Sequence, residues 1–163
     1  MTIQLFQTEA ATDAVAHAES ILETARQLAR LTSVDYAGSV SPSDAWTLFS
    51  NGHAQLVDVR TIEECTYVGR VPNSLHVAWQ TGTSMSKNPR FLRELEKLVP
   101  KDAVLLLLCR SGNRSAAAAA AATAAGFTQV FNVLTGFEGA LDGEGHRGGL
   151  GGWRFEQLPW VQD

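Results

Sequence analysis

The chain has 163 residues, 45% of them hydrophobic and 18% charged, enough to bury one core without a disulfide or a metal to staple it. A net charge of −4, with 13 basic residues that form no run or stripe, argues against phosphate-driven binding of nucleic acid. The apolar run Val104-Leu105-Leu106-Leu107-Leu108-Cys109 falls far short of the ~20 residues that span a bilayer, so neither nucleic acid nor a membrane is expected as a partner.

Met1 to Glu9 carry neither a basic leader nor an apolar stretch ending in a small-residue cleavage site, which gives a cytoplasmic expectation. From about Ala10 to Leu31, Ala11, Val15, Ala18, Leu22, Ala25, Leu28 and Leu31 recur every three or four positions and predict an amphipathic helix in an extension over 1–36. Glu9, Asp13, Glu19 and Glu23 precede Arg26 and Arg30, an order that complements the helix dipole. Such a helix packs against the main domain or, in a homodimer, against a second copy of itself.

The main domain over 37–163 opens on a short connector. Ser41-Pro42-Ser43-Asp44 then supplies an N-cap, a proline at the first helical position and an acid three residues past the cap, predicting a helix from Pro42 to about Asn51. Ala54 to Arg60 reads as a β-branched strand, and Thr61-Ile62-Glu63-Glu64 as a capping box opening a short helix toward Val68. Ser74 to Trp79 is the next strand, and Asn88 to Leu98 a capped helix closed by Pro100. Val104 to Leu108 is apolar on both faces, as a central parallel strand covered by helices must be. Ser115 to Ala125 is nearly all alanine, with Gly126 placed for a left-handed cap, and Gln129 to Leu134 is the last strand. This alternation predicts an open, mostly parallel α/β sheet with its ligand at the carboxyl ends of the strands. In the tail, about 142–163, six of the ten residues from Gly143 to Gly152 are glycine, a flexible loop ending in an apolar clamp of Trp153, Pro159 and Trp160.

Two cysteines, Cys65 and Cys109, are too few for a disulfide framework and lack zinc spacing. With no Gly-x-Gly-x-x-Gly, no phosphate-loop lysine and no ligand cluster, no metal or organic cofactor is implied. The chemistry concentrates in Cys109-Arg110-Ser111-Gly112-Asn113-Arg114-Ser115, between the buried strand and the alanine helix. A thiol there faces converging backbone N–H groups and the positive end of a helix, which bind anions and favour thiolate over thiol. From Ala103 to Phe137 there is no acidic residue, and the only charges are Arg110 and Arg114. Cys109 is therefore the candidate nucleophile.

The Cys-x-x-Gly-x-Arg-Ser pattern after an apolar strand, with Asp58-Val59-Arg60-Thr61 and Glu63-Glu64 upstream, resembles a single-domain rhodanese, a sulfurtransferase, over roughly Ser39 to Leu141. The tail residues Gly145-His146-Arg147-Gly148, Gly152-Trp153-Arg154 and Leu158-Pro159-Trp160 are similar to those of some bacterial members. The resemblance implies a five-stranded sheet with helices on both faces, and a relay in which Cys109 takes a sulfane sulfur from an anionic donor such as thiosulfate and passes it, as a persulfide, to cyanide, a thiol or a protein. Arg110, Ser111, Gly112, Asn113, Arg114 and Ser115 would bind the donor and the persulfide, Arg110 reaching outward and Arg114 bracing the loop. Asp58, Arg60 and Glu64 would support the loop through hydrogen bonds and ion pairs.

The chain departs from the family pattern at Cys65, which stands where an aromatic residue is usual and is either an apolar filler or a resolving thiol. It departs again at Gly69-Arg70-Val71-Pro72-Asn73-Ser74, where the usual histidine is missing. His146 and Arg147 could fold over the pocket. Two rival readings stand beside the sulfurtransferase: a persulfide carrier without turnover, docking through the N-terminal helix, and a cysteine phosphatase or arsenate reductase. The latter enzymes place five residues between Cys and Arg, whereas four separate Cys109 from Arg114, a ring better sized for one sulfur than for a tetrahedral oxyanion.

Overall fold

A computed structural model describes residues 2–163. Helix α1 (Thr2–Thr32) is followed by β1 (Gly38–Val40), α2 (Pro42–Ser50), β2 (Gln55–Asp58), α3 (Ile62–Val68), β3 (Leu75–His76), β4 (Gln80–Thr81), β5 (Ser86–Lys87), α4 (Phe91–Leu98), β6 (Val104–Leu108), α5 (Asn113–Ala124) and β7 (Gln129–Val133). Five strands form one parallel sheet in the order β1-β7-β6-β2-β3, and β4 and β5 make a separate antiparallel hairpin. The fifth strand of the sheet is β1, inside the segment that reads as a connector.

Alternation along the strands sorts the core into two layers. Leu106 and Leu108 of β6 pack with Leu56, Phe131, Val40 and Val133 against α1 and α2 through Ala18, Leu22, Ala25, Ala45 and Leu48. Leu105, Leu107 and Cys109 turn the other way with Val57, Val59 and Val130, against α4 and α5 through Phe91, Leu95, Ala118, Ala119 and Ala122. The alanines of α5 are the small side chains that let a helix lie close on the sheet. Its end matches expectation: Gly126 has φ +102°, and the Phe127 N–H reaches back to the Ala122 carbonyl at 3.1 Å, closing the C-terminal turn.

Several local boundaries differ from the sequence reading. α4 begins at Phe91 instead of Asn88, because the Asn88 side chain accepts the Arg90 N–H at 3.0 Å and donates to the Ala78 carbonyl at 2.8 Å, forming a turn ahead of the helix. α5 begins at Asn113, two residues before Ser115. The β4–β5 hairpin follows no alternating apolar pattern. The apolar clamp expected at the end of the tail is present: Trp153 is fully buried, its indole donates to the Pro159 carbonyl at 2.8 Å, and Arg70 and Val161 exchange backbone hydrogen bonds at 2.8 and 2.9 Å.

Candidate active site

β6 delivers Cys109 at the carboxyl end of the central strand, and the chain turns at once through Arg110, Ser111 and Gly112 into α5. The turn needs Gly112, which has φ +99° and caps the helix in the left-handed region. The Cys109 sulfur accepts the Gly112 N–H at 3.1 Å and lies 3.1 Å from the Ser115 hydroxyl, with the residue only 1% exposed. A backbone donor and a hydroxyl thus converge on one sulfur atom at the N-terminus of a helix.

The turn after β7 braces this loop from behind. Phe137 N–H donates to the Cys109 carbonyl at 2.8 Å, and the N–H groups of Glu138 and Gly139 donate to the Arg110 carbonyl at 2.9 and 3.2 Å. Contact is so close at Gly136 that a Cβ there would lie 2.5 Å from the Cys109 carbonyl oxygen. From β7 itself, Asn132 donates to the Gly112 carbonyl at 3.2 Å and accepts the Ser115 hydroxyl at 2.6 Å.

Arg114 and Glu64, fifty residues apart in the chain, form a two-pronged ion pair at 2.7 and 2.8 Å, joining α5 to α3. Glu64 is held in place by its own capping box with Thr61. Burial by itself would push the Glu64 carboxyl up, but the Arg114 guanidinium, the Thr61 N–H and the charge of Arg60 outweigh it and hold the group below its ordinary range. Arg114 also approaches the Met85 sulfur at 3.7 Å, which brings the hairpin tip to the rim of the site.

Arg60 is fully buried and paired with Asp58, its Nη2 2.6 Å from the carboxylate and 2.8 Å from the Gly69 carbonyl. Burial opposes its charge, and Asp58 more than offsets this. The guanidinium lies 4.1 Å from the centre of the Phe137 ring, so this pair acts on the residue whose N–H holds the Cys109 carbonyl. Asp58 and Arg60 thus brace the loop at one remove, and Glu64 does so directly through Arg114.

Arg110 is half-buried; its Nε is shielded from solvent, and it has no ion-pair or hydrogen-bond partner for that atom among the described residues. With Arg114 neutralised by Glu64, Arg110 supplies the uncompensated positive charge. Ser111 is half-buried and Asn113 exposed. Cys65 is buried, and desolvation together with the nearby Asp58 carboxylate pushes its thiol up to about 12, which suits an apolar filler and not a resolving thiolate. In the tail, Arg147 donates to the Gly139 carbonyl at 2.7 Å while His146 remains exposed. The sequence reading missed Asn132, Phe137, Gly136 and Met85. Only Asn132 carried a signal, as a polar residue inside an otherwise apolar strand that must find buried partners.

A thiol at the end of a central parallel strand, held by a backbone N–H and a hydroxyl at the start of a helix, defines an α/β protein with a cysteine in its strand-to-helix loop. The chain belongs to the family of rhodanese-like domains, whose model matches residues 41–142. It is 46% identical to Rv0390 from M. tuberculosis, whose crystal structure superposes with a TM-score of 0.71 over 78% of this chain and 99% of that one. It is 36% identical over 119 residues to the uncharacterized RP600 homolog of Rickettsia rickettsii, covering 69% of this chain and 87% of the relative. Thiosulfate sulfurtransferase 16, chloroplastic, of Arabidopsis thaliana is 35% identical over 101 residues, covering 61% and 82%.

Proposed function

We propose that the protein is a sulfurtransferase that moves a sulfane sulfur from thiosulfate or a similar anionic donor to a thiophilic acceptor through a persulfide on Cys109. The observation that carries this reading is the pair of donors, Gly112 N–H and Ser115 O–H, each 3.1 Å from Sγ in a loop of four residues between Cys109 and Arg114. Membership of the rhodanese-like family and likeness to a thiosulfate sulfurtransferase support it.

In the first displacement the Cys109 thiolate attacks the sulfane sulfur of thiosulfate. A bond forms between Sγ and that sulfur, the sulfur–sulfur bond of the donor breaks, and its electron pair leaves with sulfite. Arg110, whose charge no carboxylate compensates, eases the departure of the dianion. In the second displacement an acceptor such as cyanide attacks the outer sulfur, thiocyanate forms, and the electron pair returns to Sγ. Gly112 N–H and the Ser115 hydroxyl stabilise that thiolate as a leaving group and so lower the second barrier, while in the first displacement they raise the fraction of Cys109 present as the attacking thiolate. Because Cys109 is 1% exposed, a slender small-molecule donor reaches Sγ more readily than a protein persulfide does, which favours turnover over a pure carrier role.

The testing experiment measures thiocyanate formed from thiosulfate and cyanide. Turnover is expected, with Arg110→Ala lowering kcat/KM for thiosulfate about tenfold, as loss of a charged interaction with the departing sulfite does. Hydrolysis of an aryl phosphate with no thiocyanate produced would reject the reading in favour of a phosphatase.

A further inference from the structure

Asn132 is 3% exposed and lies on β7, an interior strand of the sheet between β1 and β6, in register with Ser39 and Leu107. Both ends of its amide are committed to the loop: Nδ2 donates to the Gly112 carbonyl at 3.2 Å, and Oδ1 accepts from Ser115 Oγ at 2.6 Å. The first contact fixes the orientation, since a reversed amide would set oxygen against carbonyl oxygen.

The Ser115 hydroxyl has one hydrogen and two acceptors within reach, Asn132 Oδ1 at 2.6 Å and Cys109 Sγ at 3.1 Å. With a protonated thiol there is no conflict: S–H donates to Oγ, and O–H donates to the amide. With a thiolate, both the sulfur and the amide compete for the same hydrogen. We propose that Asn132 is a positioning residue that competes with the Cys109 sulfur for the Ser115 hydroxyl hydrogen, and thereby sets how readily Cys109 ionises. The hydroxyl turns to the sulfur whenever Sγ carries charge, and back to the amide when Sγ is protonated or bonded to a second sulfur. The Gly112 N–H is fixed by the backbone and cannot follow the charge in this way. This deepens the proposed function only in taking Cys109 as the nucleophile.

The charged residues on the elements that build the site are Arg110 in the loop, Arg114 on α5 paired with Glu64 from α3, the Asp58–Arg60 pair at the end of β2, and Glu138 beyond the turn after β7. Strand β7 (Gln129–Val133) contributes no ionisable group, and none of the substitutions below alters the others.

The test follows the rate of iodoacetamide alkylation of the full chain against pH, with the modified residue identified by peptide mass spectrometry. Asn132→Ala and Asn132→Asp are compared in the parent and in a Ser115→Ala background. Asn132→Ala is expected to move the midpoint of the profile down by about one pH unit, a tenfold change in the ionisation equilibrium. Asn132→Asp, which keeps the side-chain size, is expected to move it up. In the Ser115→Ala background the effect of Asn132→Ala vanishes and that of Asn132→Asp shrinks to its charge alone. A midpoint unmoved or raised by Asn132→Ala overturns the proposal. So does an Asn132→Asp shift of equal size in both backgrounds, a comparison that holds even if the alanine variant loosens the loop. Alkylation involves no sulfur donor, so this result stands or falls separately from the persulfide reading.

Discussion

Thr135 holds φ at +63°, a conformation that a β-branched residue adopts only under strain, and it does so in the turn that braces the Cys109 loop. A glycine there relieves the strain at some cost in chain entropy, so Thr135→Gly is expected to stabilise the protein by about 1 kcal/mol, read as a higher urea midpoint at unchanged slope. At Gly112 the sign reverses. Its φ of +99° excludes a β-branched side chain, and a Cβ would meet the Thr135 nitrogen at 3.4 Å. Gly112→Val is expected to lower the melting temperature and to abolish rapid alkylation of Cys109; a stable variant with normal alkylation would contradict the loop geometry. At this scale the sequence was informative where one residue type forces one conformation or one chemistry. Cys109, Gly112, Gly126 and the Thr61–Glu64 box are of that kind. It was silent on Phe137 and Met85, whose roles depend on which neighbours the fold brings to them.

α1 illustrates the same division for whole elements. The periodicity that marks it is real, and Ala18, Leu22, Ala25 and Ala29 are buried, while every residue from Phe6 to His17 is exposed. Its second half therefore belongs to the core over β1. Leu22→Ala is expected to cost about 2–5 kcal/mol in a denaturant titration. Removing residues 2–17 should leave the melting temperature close to that of the parent. Strand β1 escaped the sequence reading because three residues, Gly38-Ser39-Val40, carry no period, and only pairing with β7 makes them a strand. The β4–β5 hairpin escaped because its residues are polar, with no apolar face to bury. Val104 to Leu108 and α5 were legible because burial on both faces and an alanine run each leave one structural solution. In the tail, the ten residues with six glycines read as flexible, yet Gly148 N–H donates to the Glu138 carbonyl at 2.9 Å and Arg147 to the Gly139 carbonyl at 2.7 Å, while beyond them Trp160 packs edge-on to Phe137 at 6.3 Å as the expected clamp.

For the molecule as a whole, the site is assembled from β6, α5, α3, β7, the end of β2 and the hairpin tip, and its long-range fastening is Glu64 to Arg114. The Glu64 carboxyl is held below its ordinary value of 4.5, so the pair's contribution to stability is fully present above that pH and is lost as the pH falls through the lowered value. Glu64→Gln is expected to lower the melting temperature at pH 7 and to flatten the fall in stability below about pH 4.5 relative to the parent. An unchanged acid limb would show that the pair contributes nothing to the fold. This fastening was legible only as two separate hints, a capping-box acid and a loop arginine, because no local rule connects positions fifty residues apart. Among the described residues no helix is long and apolar enough to cross a membrane.

The central claim is that Cys109 carries the sulfur. Intact-protein mass spectrometry after mixing with thiosulfate, and again after adding cyanide, tests it on the parent and on Cys109→Ala. The account predicts one added sulfur on the parent, removed by cyanide, and none on Cys109→Ala, which should fold normally. Sulfur loading of the Cys109→Ala protein, or none on the parent, would contradict it.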